Sequence, residues 1–257
     1  MDLNLLALNI GNSRLTIGAF IAGKLQPVIR IYHEDKADWP RRLADAWQLL
    51  GYNDGDEIAA ASVNPPIAAE IEKAVLAATE QPIKWIGRDI ELPIKVATEN
   101  PAETGVDRIL NIAAAFEQLG KAAVVIDAGT ALTIDCCDDT GTFLGGAIAP
   151  GAQMMLNALH ERTAKLPQVP LAPPTGRIGQ NTEQAILQGV HTGIRGMVKE
   201  LVENYAMELG RWPEVIATGG DAQKLFTNWE IVQAISPDLT LYGIALAYAN
   251  HQIKHNP

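Results

Sequence analysis

Apolar positions along the chain fall into short blocks separated by Gly, Asn and Pro. Residues 3–9, 14–20 and 25–32 read as three successive strands, divided by turn signals at Gly11-Asn12 and Ala22-Gly23. Apolar residues over 37–50 recur at helical spacing. Residues 57–63 read as a buried strand stopped by Asn64-Pro65-Pro66, and that Pro pair opens a helix over 67–78. A short strand at 84–86 completes a β-β-β-α-β-α-β series. A helix over 106–119 joins this half to the next, where the theme repeats. Strands are expected at 122–127, 132–137 and 142–148, a helix at 152–159 and an extended Pro-rich loop at 166–174. A long, mostly helical stretch at 181–209 follows, then a strand at 214–218, a short helix from Asp221, a strand at 231–235 and a last helix from Leu241.

Strands alternating with helices place the chain in the α/β class. The repeated series indicates two domains of one type related by duplication. Their boundary falls near residues 110–120, which gives an N-terminal domain over 1–115 and a C-terminal domain over 116–257. Two local segments strengthen the duplication. One is Leu8-Asn9-Ile10-Gly11-Asn12-Ser13-Arg14-Leu15-Thr16-Ile17 and the other is Ile126-Asp127-Ala128-Gly129-Thr130-Ala131-Leu132-Thr133-Ile134. Each reads as an apolar strand, an Asn or Asp, a small turn with Gly, a polar donor, and a second strand containing Leu-Thr-Ile. A hairpin turn of this kind can hold a phosphate, because glycine lets backbone approach it and Asn12, Ser13 and nearby N–H groups donate to its oxygens. The same residue types also build plain hairpins. The second copy favours the phosphate reading: Asp127 ends an apolar strand, where a carboxylate is costly unless it binds something, and a cation near phosphate is its simplest partner. Two such turns suggest a clamp on a nucleoside triphosphate.

Composition removes several alternatives. The 257 residues are 47% hydrophobic and 19% charged, enough for a sizeable core. A formal net charge of -10 argues against nucleic acid as a partner, which requires clustered Lys and Arg, but leaves room for an anion held by backbone amides. The two cysteines, Cys136 and Cys137, are adjacent; they have no zinc spacing and read as reduced strand residues of a cytoplasmic protein. Met1-Asp2-Leu3-Asn4 lacks a signal-peptide basic region, and no apolar run is long enough to cross a bilayer. There is no P-loop and no Gly-x-Ser-x-Gly elbow. The histidines at 33, 160, 191, 251 and 255 form no convincing metal site, and His251 and His255 are expected at a frayed terminus.

Four further segments carry candidate chemistry. In Asn100-Pro101-Ala102-Glu103-Thr104-Gly105-Val106-Asp107-Arg108, at the start of the linking helix, Asp107 can take a proton from a hydroxyl while Arg108 pairs with an anionic group. Helix capping explains the same Asp equally well. Gly145-Gly146 before Ala147-Ile148-Ala149-Pro150-Gly151 admits a ligand or, as readily, marks a bulged strand. Gly179-Gln180-Asn181-Thr182 fits a helix N-terminus with Thr182 as the capping group. Thr218-Gly219-Gly220-Asp221 suits an adenosine or phosphate edge and suits an ordinary tight turn as well.

Taken in order, these segments resemble the type III pantothenate kinases. The resemblance rests on 9–16, 100–108, 127–133, 145–151, 179–182 and 218–220 and covers nearly the whole chain. It implies two duplicated ribonuclease-H-like (actin-like ATPase) domains with mixed sheets flanked by helices. It implies ATP-dependent phosphorylation of pantothenate to 4'-phosphopantothenate, the first step of coenzyme A biosynthesis. By that resemblance Asn9, Ile10, Gly11, Asn12, Ser13, Arg14, Leu15, Thr16 and Thr130 contact ATP, and Asp107 is the catalytic base. Thr98, Gly105, Val106, Asp107, Arg108 and Thr182 then contact pantothenate. Asp127 holds a monovalent cation, K⁺ or NH₄⁺; Mg²⁺ accompanies ATP; and a homodimer completes the pocket. Two positions depart from the family pattern: Asn9 stands where an Asp is usual, and Thr98 where a Tyr is usual. The alternatives are a non-catalytic nucleotide-binding or regulatory paralogue, for which Asn9 speaks, and a kinase of another small hydroxyl substrate.

Overall fold

The structure, a computed structural model, describes residues 3–51 and 55–255. By internal contacts the chain forms two compact units. The first comprises Met1–Lys95, Asn100–Ala114 and Asp238–Pro257, and the second comprises Val96–Glu99 and Ala115–Pro237.

In the first unit, β1 (Leu5–Ile10) pairs antiparallel with β2 (Arg14–Ile21) and parallel with β5 (Glu57–Ser62), which pairs parallel with β6 (Ile83–Trp85). The short β3 (Lys24–Leu25) and β4 (Ile29–Tyr32) both pair antiparallel with β2. The third expected strand is therefore two pieces. Pro27, lacking a backbone N–H, lies in the gap between them. Helix α1 (Trp39–Gln48) starts later than expected, after a 3-10 turn at His33–Asp38. Helix α2 (Pro65–Thr79) takes both prolines into its first turn, where no N–H is needed, and the Asn64 side chain accepts the N–H of Ile67 at 3.4 Å.

Strand alternation sends Leu6, Leu8 and Ile10 of β1 into one core with Leu43, Trp47, Ile71 and Val75 of α1 and α2. Leu5 and Ala7 enter a second core on the opposite face. There they meet Leu110 of α3 (Val106–Leu119) and Leu241, Ile244 and Tyr248 of α7 (Leu239–His255). Burial on both faces explains why β1 reads as an apolar run rather than an alternating strand.

The second unit has the same plan. Strand β7 (Ala123–Ala128) pairs antiparallel with β8 (Ala131–Cys137) and parallel with β10 (Glu214–Thr218). Beyond them lie β9 (Phe143–Pro150) on β8 and β11 (Ala234–Ile235) on β10, giving the order β11-β10-β7-β8-β9. The first sheet runs β6-β5-β1-β2 with β3 and β4 beyond, so each sheet has an antiparallel hairpin flanked by parallel strands on one side and antiparallel strands on the other. Helices α4 (Ala152–Glu161), α5 (Thr182–Leu209) and α6 (Ala222–Phe226) pack against one face of the second sheet. Residues 166–174 form no regular element, as expected, and only two residues of the expected strand 231–235 join the ladder.

The Gly145-Gly146 pair marks a bulge: the β8–β9 register shifts between Cys136 and Cys137, and Gly145 has φ +126°. A Cβ on Gly146 would lie 2.3 Å from the Ile134 carbonyl oxygen, so this glycine serves strand packing. Cys136 and Cys137 are free and buried, and burial pushes their thiols up to about 12 and about 11. His251 lies near the end of helix α7 and His255 is its last residue. Among the described residues no helix is long and apolar enough to cross a membrane.

Candidate active site

The first hairpin ends with Asn9 opposite Thr16 and Ile10 opposite Leu15. The Gly11 N–H donates to the Arg14 carbonyl at 3.1 Å, leaving Asn12 and Ser13 exposed at the tip. By alternation Asn9 lies on the face shared with Leu5 and Ala7, and α3 packs on that face through Val106 and Leu110. Three contacts fasten the turn from behind. The His33 backbone N–H donates to the Ser13 carbonyl at 3.0 Å, the His33 ring Nε2 lies 2.9 Å from the Gly11 carbonyl oxygen, and Asn64 Nδ2 lies 3.5 Å from that of Asn12. Sequence reasoning gave His33 no role, because nothing local ties residue 33 to residue 11.

The second hairpin is the counterpart, one residue shorter. Asp127 pairs with Thr133, Ala128 with Leu132, and the Gly129 N–H donates to the Ala131 carbonyl at 3.0 Å. Asp127 is half-buried at the end of β7, and Thr130 is exposed in the turn. On the parallel side Asp127 aligns with Thr218, as Asn9 aligns with Ala61. The Gly-Gly turn after β10 packs onto this end of β7. The Asp221 N–H donates to the Ala128 carbonyl at 3.0 Å, and a Cβ on Gly219 would sit 2.5 Å from Asp127 Oδ1 and 2.4 Å from the Ala128 oxygen. Gly151 approaches the turn from its other side, donating to the Thr130 carbonyl at 3.1 Å. Thr133, across from Asp127, has a buried hydroxyl with no hydrogen-bond partner.

Asp107 stands in the first turn of α3, half-buried. Its Oδ1 accepts the N–H of Arg108 at 2.8 Å, and a Cβ at Gly105 would lie 2.8 Å from that same oxygen, so glycine makes room for the carboxylate. Burial pushes the Asp107 carboxyl above the ordinary range, although the Arg108 N–H and the Arg108 charge pull it down. Val106, its neighbour in the chain, packs against the core on the sheet face that carries Asn9, and Asp107 and Asn9 both belong to the first unit.

The remaining candidates lie in the second unit. Thr98 is in the short segment Val96–Glu99, held beside β9 by a bridge between Val96 and Phe143 and by the Ala97 N–H donating to the Phe143 carbonyl at 2.8 Å. Its methyl lies 3.9 Å from where a Cβ on Gly145 would be. Thr182 is the first, exposed residue of α5 and does not cap it. The cap is Asn181, whose side chain accepts the Gln184 N–H at 2.9 Å while Gln184 Oε1 accepts the Gln180 N–H at 2.9 Å. Asn181 and Gln184 together are the sequence signature that would have identified it. Among the described residues no group of three or more His, Cys, Asp or Glu side chains is placed to hold a metal ion.

Two sheets of one plan, each with a glycine turn in its hairpin preceded by Asn or Asp, make up an actin-like ATPase fold. Solved structures agree on the fold. Component A of (R)-2-hydroxyglutaryl-CoA dehydratase from Acidaminococcus fermentans covers 99% of this chain and 100% of its own at 13% identity, with a TM-score of 0.59. MreB5 of Spiroplasma citri, bound to ADP, covers 98% of each chain at 10% identity, with a TM-score of 0.51. The family model for type III pantothenate kinase matches residues 5–204. A type III pantothenate kinase from Dehalococcoides mccartyi is 34% identical over 98% of this chain and 100% of its own length. The chain belongs to the type III pantothenate kinase family.

Proposed function

We propose that this chain transfers the γ-phosphoryl group of ATP to the terminal hydroxyl of pantothenate, making 4'-phosphopantothenate and ADP for coenzyme A synthesis. The observation that carries the reading is Asp107, a carboxylate whose burial raises its proton affinity, in a first helical turn cleared by Gly105. Asp107 accepts the hydroxyl proton as the pantothenate oxygen bonds to the γ-phosphorus and the bond to the β,γ-bridging oxygen breaks. Residues 9–16 hold ATP phosphates by amide and side-chain donors, with Thr130 assisting. Gly105, Val106, Arg108, Thr98 and Thr182 position pantothenate. Residues 1–115 and 116–257 are the two duplicated ribonuclease-H-like halves, and the working form is a cytoplasmic homodimer.

The donor set bears on the cations. Asn9 offers a neutral amide oxygen where a carboxylate would hold Mg²⁺ directly, so Mg²⁺ is carried mainly by the phosphates of ATP and water, to offset their charge. Asp127 fits K⁺ or NH₄⁺ better, because the unpartnered Thr133 hydroxyl across the strand pair offers a second oxygen on the same face. The neutral Asn9 also favours a second reading, a nucleotide-binding paralogue without turnover. ADP release from purified protein with Mg²⁺ and ATP decides between them. Release is expected to depend on pantothenate and to rise with K⁺ or NH₄⁺. No increase on adding pantothenate overturns the kinase reading, and release driven instead by another alcohol reassigns the substrate.

A further inference from the structure

The turn at 11–13 is short, exposed and rich in small residues, so its peptide planes need an external constraint if they are to meet an anion in one orientation. His33 supplies one at two points. Its backbone N–H holds the Ser13 carbonyl at 3.0 Å and its ring Nε2 holds the Gly11 carbonyl at 2.9 Å. A carbonyl oxygen only accepts, so Nε2 carries the hydrogen. The ring is itself fixed. It meets the Trp39 ring edge-on at 5.9 Å and 88°, and its Nδ1 is buried without a partner. The Gly11–Asn12 peptide is trans, as are all those described. Its N–H therefore points opposite its C=O. Holding the Gly11 carbonyl toward His33 aims the Asn12 amide away from His33.

We propose that His33 is a positioning residue for nucleotide binding: by holding the Gly11 carbonyl it presets the Asn12 amide as a donor to an ATP phosphate oxygen. The proposal rests on the reading that residues 9–16 hold ATP phosphates. Trp39 is the wall behind His33, and the Asn64 side chain, 3.5 Å from the Asn12 carbonyl, is a weaker second tether.

The test compares His33→Phe, which keeps a ring and loses the donor, with His33→Gln, whose amide nitrogen reaches close to the Nε2 position. Loss of one preset donor is expected to raise KM for ATP roughly tenfold in His33→Phe. KM for pantothenate and the melting temperature should move little, and His33→Gln should recover most of the ATP affinity. If His33→Phe does not fold, His33→Asn, whose shorter amide stops short of the carbonyl, takes its place against His33→Gln. Equal loss in the donor and donor-free variants, or a rise in both KM values together, overturns the positioning role. Hydrogen exchange on the unaltered protein separates this from failure of the underlying reading. ATP should protect amides 11–14. No protection there means that the nucleotide binds elsewhere, whereas protection that persists equally in His33→Phe rejects His33 alone.

Discussion

Asp107 shows how one side chain is tuned by its surroundings. A raised carboxyl pKa means that the folded chain holds this proton more tightly than the unfolded chain does. The associated stability is fully present below the ordinary Asp range, about 3.9, and is lost as pH rises through the folded value. At neutral pH the ionised carboxylate is therefore a net cost to folding. Asp107→Asn keeps an oxygen for the Arg108 N–H and removes the charge. Its melting temperature at about pH 7 should equal or exceed that of the unaltered protein, with the gap closing toward about pH 3.5. Turnover should fall by about 10²–10⁴-fold, the usual contribution of a general base. Thermal unfolding across pH, with rates at neutral pH, checks both. A variant that is less stable at every pH, or that turns over normally, removes the assigned role.

At the scale of elements, what the sequence displays depends on how local the cause is. The span of α3, both glycine hairpins and the repeated strand order were legible, because hydrophobic period and turn residues act over a few positions. The split of β3 from β4 was missed although Pro27 was in view, and the cap of α5 was placed one residue late although the Asn181 and Gln184 pair signals it. The contacts of His33 with Gly11 and of Gly219 with Asp127 join elements far apart in the chain, and no periodicity records them. Gly219 is the sharper case, with φ +93° and no room for a Cβ. Gly219→Ala should cost about 1–3 kcal/mol through backbone strain alone. It should also displace the Asp127 carboxylate and blunt any activation by K⁺. Gly196→Ala is the matched control: it lies within α5 with nothing near its Cβ position, and it should stabilise by about 0.5–1 kcal/mol. Chemical denaturation of the pair, with a K⁺ titration of activity, tests the contrast. Equal small effects would mean that the Gly219 turn gives way freely.

On the scale of the whole chain, the last helix completes the first core. The first run of strands and helices, β1 to β6, is followed by α3, and the second, β7 to β11, by α7. The α7 residues Leu241, Ile244 and Tyr248 share a core with Leu5 and Ala7 of β1 and Leu110 of α3. Two features make the α3–α7 contact close. Thr240 Oγ1 donates to Asn111 Oδ1 at 2.7 Å with both residues buried, and a Cβ on Gly243 would sit 2.3 Å from the Leu110 carbonyl oxygen. Backbone cannot yield to a methyl group as a flexible side chain would, so Gly243→Ala must push the helices apart. Overpacking of this kind costs about 1–3 kcal/mol. Because the first turn of α3 carries Asp107, the displacement should reach the proposed base, lowering kcat more than it raises either KM. Hydrogen exchange should show faster opening of β1 and of the first turns of α3, residues more than a hundred positions from the substitution. If exchange quickens only within α7, then α7 merely covers a core that stands without it.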